Sequence, residues 1–232
     1  MTQATSTVSV IIPAFNEEKS IAKVIGDIPR DLVQEIIVVD NNSKDCTSEV
    51  AQAAGATVLF EGRQGYGNAC LKGIDYLKSS PQSPEIVVFL DGDYSDYPEE
   101  MRGLVDMIIL ENKDLVIGSR ALGNRASGSM TIPQVFGNWL ATNLIWLFYG
   151  ARFTDLGPFR AIRYDKLIAL DMQDRNYGWT VEMQLKAAKK KYSTGEMPVN
   201  YRKRIGVSKV SGTVKGTVLA GYKIITTIFK YL

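Results

Sequence analysis

The stretch VVFLDGDYSDYP, Val87–Pro98, runs four apolar residues straight into three aspartates, Asp91, Asp93 and Asp96. A continuous apolar run is what a strand covered on both faces looks like. Two carboxylates one residue apart on the following turn repel each other unless a divalent cation or several donors neutralise them. Gly92 between them lets the backbone turn tightly and lets a ligand approach. D-x-D in an arbitrary loop says little. Directly after a buried strand it marks a candidate cation site, with a solvated acidic turn as the alternative.

The same pattern extends to both sides. VSVIIP predicts a first strand, followed by a helix in NEEKSIAKVIGDIP with Asn16 as N-cap and Ile21, Val24, Ile25 and Ile28 on one face. QEIIVVD and ATVLFEG predict strands around a helix in SKDCTSEVAQAAG that Gly55 closes. A helix over Ala69–Lys78, the strand EIVVFL, a helix opened by Pro98 and the strand DLVIGSR continue the alternation. Such alternation predicts an α/β fold with a mostly parallel sheet flanked by helices. In such sheets ligands bind beyond the carboxyl ends of the strands. Four of those ends read PAFNEE, DNNSKD, DGDYSD and GSR, with seven acids among them. Helix capping accounts for any one of these more readily than for all four.

Beyond Arg120 a Gly/Ser loop, ALGNRASGSMTIP, is long enough to suggest a functional segment. Helices are predicted near Gln134–Phe148 and Gly178–Lys191, a strand in GEMPVNY, and a last helix from about Thr213 to Leu232. In that last helix Val218, Tyr222, Ile225, Phe229 and Leu232 form an apolar stripe with Lys215, Lys223 and Lys230 beside it. Residues 1–212 therefore read as a catalytic domain and 213–232 as an amphipathic element. That element suits an anionic membrane surface, the domain itself, or a second copy in a homo-oligomer.

Two cysteines, Cys46 and Cys70, make no disulfide framework and suggest a reducing compartment. The 232 residues include no histidine, which excludes His-based nucleophile systems and His-ligated metals within this chain. A metal here is held by oxygen, pointing to Mg²⁺, Mn²⁺ or Ca²⁺. After Glu196 come seven basic residues and no acid, whereas acids outnumber bases before it. A basic tail implies phosphate, nucleic acid or an anionic membrane. The polar N-terminus shows no signal-peptide pattern, and no stretch offers the roughly 20 uninterrupted apolar residues a spanning helix requires.

VSVIIPAFNEE, IIVVDNNSKDCT, FLDGDYSDYP, VIGSR, TDLGPFRAI and PVNYRKRIGVSKVSG occur in this order over roughly residues 8 to 215. In order and spacing the chain resembles family 2 glycosyltransferases of the GT-A fold, most of all the dolichyl-phosphate mannose/glucose synthase branch. The resemblance implies an inverting transferase that moves a hexose from a GDP-mannose- or UDP-glucose-type donor to a polyprenyl-phosphate-like acceptor. It implies a place on the cytosolic face, peripheral to the membrane. Carried over, Pro13, Ala14, Glu17, Asp40 and Asn42 hold the nucleotide, with Gly92 beside them. Asp91 and Asp93 bind Mg²⁺ or Mn²⁺ on the diphosphate. Arg120 lies near the reacting phosphates, with a surface ion pair as its alternative. Arg202, Arg204, Ser208 and Lys209 hold donor and acceptor phosphates, as Arg forks and Lys suit; a solvated charge run is the other reading.

The chain departs from the family pattern in three places. DNNS stands where many relatives have DDGS. Ser95 stands where mannose synthases have a metal-binding Gln, leaving the third ligand open among Ser95, Asp96 and water. Gln134 replaces a basic residue at its helix start. GRQGYGN, Gly62–Asn68, lacks the full dinucleotide fingerprint and reads as a donor-site loop in which Gly65 and Gly67 permit close approach, or as plain loop glycine. A phosphate acceptor is already anionic and requires no base. A hydroxyl acceptor on a glycan, lipid or small molecule would use Asp155 or Glu182, the latter equally a structural partner for a basic residue. A sugar nucleotidyltransferase would want a different loop after the first strand. A nucleic-acid-binding module is disfavoured because carboxylate-ended strands repel a polyanion.

Overall fold

The computed structural model describes residues 7–206 and 214–232, and side chains from 219 onward in the last helix. Strand β1 (Val8–Ala14) is followed by α1 (Ile21–Asp27), β2 (Val33–Asp40), α2 (Thr47–Ala53), β3 (Thr57–Phe60), α3 (Tyr66–Ser79) and β4 (Ile86–Phe89). A 3₁₀ turn, Pro98–Glu100, leads into α4 (Met101–Leu110) and β5 (Leu115–Ser119). Then come α5 (Ile132–Tyr149), β6 (Arg160–Arg163), α6 (Tyr164–Leu170), α7 (Trp179–Lys189), β7 (Thr194–Pro198) and α8 (Val214–Lys230).

The seven strands lie in the order β3-β2-β1-β4-β6-β5-β7. All neighbours are parallel except β6, which runs antiparallel to both β4 and β5. This one reversal builds the site. Arg160, the first residue of β6, pairs with Phe89 and Ile117 near the carboxyl ends of β4 and β5. The segment just before it, Thr154–Phe159, is thereby delivered beside Asp91 and Arg120. In the same way β7 pairs Pro198 with Ser119, so Val199–Arg204 emerges at that edge too.

The buried strands separate their side chains between two cores. Ile11, Ile37, Val87 and Phe89 face α3 and α5–α8, whereas Val10, Ile12, Val38 and Val88 face α1, α2 and α4. Ile21, Val24, Ile25 and Ile28 are all buried, as their spacing predicts. Asn16 does not cap α1, which begins at Ile21 after Ser20. With φ of 55°, Asn16 instead bridges two strand-end loops: its backbone N–H donates to Ser43 Oγ at 2.9 Å and its Oδ1 accepts from Lys44 N at 2.7 Å.

Helix α8 packs on α5 and α7 through a different face from the predicted stripe. Thr227 and Ile228 are buried and Ile224 and Tyr231 half-buried, while Tyr222, Phe229 and Leu232 stand exposed. Polar anchors select that face. Tyr231 donates to Glu182 Oε1 at 2.6 Å, Lys223 pairs with Asp174 at 2.9 Å, and the Tyr149 hydroxyl donates to Ile228 O at 2.7 Å. Among the described residues no helix is long and apolar enough to cross a membrane.

Candidate active site

Two cavities open at the carboxyl edge of the sheet, the second of them at the acidic elbow after β4. The first, about 310 Å³, is lined by Pro13, Ala14 and Phe15 after β1, Asn41 after β2, Gln64–Tyr66 and Ala69 at the start of α3, and Asn176 and Tyr177. The second, about 280 Å³, is lined by Asp91, Arg120, Gln134, Thr180, Tyr201 and Arg204, with Ala220, Gly221 and Ile224 of α8.

Pro13 and Ala14 line the first cavity. Asn41, not Asn42, reaches its wall: Asn41 Nδ2 donates to the carbonyls of Glu61 and Arg63, and its Oδ1 accepts from Gly65 N at 2.7 Å. Asn42 turns aside at φ 65°. Asp40 is buried, accepting from Ser43 N at 2.9 Å and Ser48 Oγ at 2.6 Å. Glu17 accepts from Ser20 Oγ at 2.8 Å and borders a separate cleft of about 270 Å³ beside Ile205 and Gly206. Phe15 and Tyr66 lie within PAFNEE and GRQGYGN, whereas Asn176 and Tyr177 carry no pattern in the sequence and join the wall only through the tertiary fold.

Gly65 and Gly67 make room for protein rather than ligand. A Cβ on Gly65 would come 2.3 Å from Arg175 O, and one on Gly67 2.1 Å from Asp174 O. Real Cβ atoms do not approach backbone oxygen so closely. Gly67→Ala should therefore push segment 174–177 off the cavity wall and weaken nucleotide binding about tenfold or more, readable by calorimetry; unchanged affinity would refute the close packing. Gly92 is less constrained than its position suggests. Its Cβ would make only ordinary contacts from 3.5 Å outward, and the left-handed residue of the turn is Tyr94, φ 62°.

At the elbow, Asp93 Oδ2 pairs with Arg204 at 2.7 Å, and its Oδ1 accepts from Ser95 N at 2.9 Å and from Ser95 Oγ. Ser95 is thus spent on Asp93. Asp91 lines the second cavity, yet its Oδ1 is buried with no partner; both oxygens of buried Asp96 are also unpartnered. Burial, then the Asp93 charge, pushes the Asp91 carboxyl up to about 7. Burial, then Asp91, raises Asp96 well above the carboxylate range. Crowded acids with orphaned oxygens suit a hard divalent cation completed by phosphate oxygens and water. Asp91 would hold it, joined by Asp93 if Arg204 shifts from Asp93 Oδ2 onto the diphosphate; when bound, it would offset the charge on a departing diphosphate.

A pH dependence follows. The unfolded Asp91 carboxyl titrates near 3.8 and the folded one near 7. Its contribution is therefore fully present below the first value and lost as pH rises through the second. Metal-free protein should lose stability between about pH 4 and 7 at up to about 1.4 kcal/mol per pH unit, and Asp91→Asn should flatten that slope in denaturant titrations. An unaltered slope would show that Asp91 ionises elsewhere.

Arg120 is gripped by Asp155. Nε and the backbone N donate to Oδ2 at 2.8 Å, and Nη2 to Oδ1 at 2.7 Å. Its guanidinium lies 5.1 Å from the Tyr201 ring centre. Burial alone would raise Asp155; the Arg120 charge and hydrogen bonds overcome it and hold the carboxyl below the usual range. Glu196 of β7 fixes the segment by accepting from the amides of Thr154 and Asp155. Both Asp155 oxygens are committed, which argues against its use as a base. Glu182 is fully buried and accepts from Gln173 N, Asp174 N, Tyr231 Oη and Lys186 Nζ at 2.6–2.9 Å. Its geometry is that of a structural anchor, not a base.

The basic loop divides likewise. Arg204 lines the second cavity at Asp93. Arg202 does not reach it. Nε and Nη2 donate to the carbonyls of Tyr94 and Asp96, and the guanidinium lies 3.4 Å and 4.2 Å from the ring centres of Tyr94 and Tyr97. It clamps the basic loop to the acidic elbow. Ser208 and Lys209 lie outside the described residues.

Comparisons with known proteins agree with this architecture. An uncharacterized glycosyltransferase of Mycobacterium tuberculosis is 33% identical over 220 residues, covering 94% of this chain and 95% of its own. A dolichyl-phosphate hexose transferase of Haloferax volcanii is 31% identical over 216 residues, covering 91% and 90%. The crystal structure of glucosyl-3-phosphoglycerate synthase from M. tuberculosis, in complex with Mn²⁺, UDP-glucose and phosphoglyceric acid, superposes with a TM-score of 0.78 at 24% identity. It covers 99% of this chain and 80% of that one, which makes the fold GT-A. The family model for glycosyl transferase family 2 matches residues 9–170, and the chain belongs to that family of glycosyltransferases.

Proposed function

We propose that this enzyme transfers a hexose from a nucleoside-diphosphate sugar, of UDP-glucose or GDP-mannose type, to the phosphate of a polyprenyl-phosphate-like lipid, with Mn²⁺ or Mg²⁺ on Asp91 and Asp93. The nucleotide occupies the cavity at Pro13, Ala14 and Asn41, and its diphosphate meets the elbow. Arg204, and Arg120 held in place by Asp155, face the reacting phosphates from the second cavity. Glu17 and Asp40 act from behind the cavity wall, ordering the loops that line it, and Gly92 lies against Pro13 and Ala14. The likeness to a protein solved with Mn²⁺ and UDP-glucose supports the donor side. The name of the archaeal relative supports the acceptor side.

The observation that carries the acceptor choice is the commitment of both candidate bases. Asp155 is spent on Arg120 and Glu182 is sealed beneath α8. An acceptor phosphate brings its own anionic oxygen and needs neither.

The surface near the second cavity suits a lipid acceptor. Helix α5 contains no charged residue, yet Ile132, Phe136, Trp139 and Leu147 are 58–87% exposed. Beside it α8 exposes Leu219, Tyr222 and Phe229, with Phe229 against Phe148 at 5.5 Å between ring centres. Exposed apolar residues on two neighbouring helices that carry no acid, with Lys230 at the end of α8, fit the interfacial layer of an anionic bilayer. Membrane-peripheral residence on the cytosolic face follows from this reading.

A thermal-shift screen of UDP- and GDP-sugars with and without Mn²⁺ tests the donor side, since ligands stabilise in proportion to saturation. Transfer of labelled sugar to polyprenyl phosphate in anionic vesicles, against 3-phosphoglycerate in solution, tests the acceptor. Product on 3-phosphoglycerate alone would overturn the lipid-phosphate reading.

A further inference from the structure

Tyr66 opens α3 and walls the nucleotide cavity, while its hydroxyl is buried and has no hydrogen-bond partner of good geometry. Beside it lies Asp91, whose buried Oδ1 is also without a partner. A buried donor and a buried acceptor left open against each other are each costly, and native structures rarely tolerate two. The buried Cys70 thiol also lies near the hydroxyl, but burial keeps it neutral and a thiol is the weaker acceptor. Arg160, fully buried close by, gives its N–H groups to the carbonyls of Leu156, Gly157 and Thr180.

The backbone cannot carry Tyr66 away. Gly65 N donates to Asn41 Oδ1 and Asn68 N to Arg175 O at 3.0 Å, and the two flanking glycines sit hard against the 174–175 backbone. The backbone that carries Tyr66 is therefore held on both sides of the residue.

We propose that Tyr66 is a positioning residue for Asp91: its hydroxyl donates to the buried Oδ1 and turns the other carboxylate oxygen toward the cavity, where a divalent cation on the donor diphosphate would be met. Because the same ring walls the nucleotide cavity, nucleotide and cation binding reinforce each other through this side chain. The assignment rests on the reading of Asp91 as a metal-holding residue.

Tyr66→Phe keeps the ring and deletes only the hydroxyl. The probes are Mn²⁺ with UDP and, in parallel, with GDP, followed by Mn²⁺ electron paramagnetic resonance and by calorimetry. The expected result is an affinity for Mn²⁺ about tenfold or more weaker in the nucleotide-loaded variant, the usual consequence of losing a partner behind a metal ligand. The melting temperature of metal-free Tyr66→Phe should fall by no more than about 2–4 °C, the consequence of losing a single hydrogen bond. Unchanged Mn²⁺ affinity in Tyr66→Phe, with uptake by the wild type, overturns this assignment alone. Wild-type protein that takes up no Mn²⁺ beside either nucleotide removes the proposed function and this assignment with it.

Discussion

Asp93→Asn should lower sugar transfer by about a thousandfold or more while leaving the fold intact. Asn keeps the shape of Asp and an oxygen that can still accept from Ser95 N and Ser95 Oγ, the two donors on Asp93 Oδ1. What it removes is the negative charge facing Arg204 across 2.7 Å. That charge is half of the pair meant to hold a cation against a diphosphate, whose charge grows as the glycosidic bond breaks. Arg204 is 26% exposed in its side chain, so losing its partner leaves it a path to water and limits the structural damage. Stopped assays at saturating Mn²⁺ and donor, beside a melting curve, separate the two effects. Full activity in Asp93→Asn with metal chelated would remove the metal-assisted mechanism.

The second large effect falls on stability. Asp155→Ala leaves Arg120 buried, 12% exposed, without the carboxylate that takes two of its N–H groups and its backbone amide. Breaking one partner of such a pair costs about 3–5 kcal/mol, a fall in melting temperature of roughly 10 °C for a chain of this size. Because the folded Asp155 carboxyl is held below its ordinary value, its contribution exists above the unfolded value and vanishes as pH falls through the folded one. The gap between wild type and variant should therefore close in acid. Replacing both residues by leucine should recover much of the stability while leaving transfer lost. Recovered transfer in that double variant would mean that Arg120 serves the fold and not the reaction.

Much of the site was legible because strand ends are local features. VVFL before DGD, IIVV before DNN and VIG before SR each announce a buried strand and a polar exit within a few residues, and a parallel sheet gathers such exits at one edge. The exceptions share one cause. Arg202 and Arg204 are chemically alike and two residues apart, yet one stacks between Tyr94 and Tyr97 and the other meets Asp93. Glu182 reads as a helix acid and is sealed by Tyr231, 49 residues away. The stripe of α8 is apolar by count, but a neighbouring face packs because Lys223 and Tyr231 find Asp174 and Glu182 there. Asn16 reads as a cap and instead ties two loops together.

The sequence by itself determined the alternating α/β order, the acidic elbow and the family, since apolar periodicity and short motifs are written in contiguous residues. Only the tertiary structure decided which polar groups remain available for chemistry. That depends on the reversed β6, which drives Thr154–Phe159 into the carboxyl edge, and on long-range partners that saturate Asp155, Glu182 and Arg202 while leaving Asp91 Oδ1 unmatched. A side chain's chemistry is set by its type, but its availability is set by what the fold packs against it.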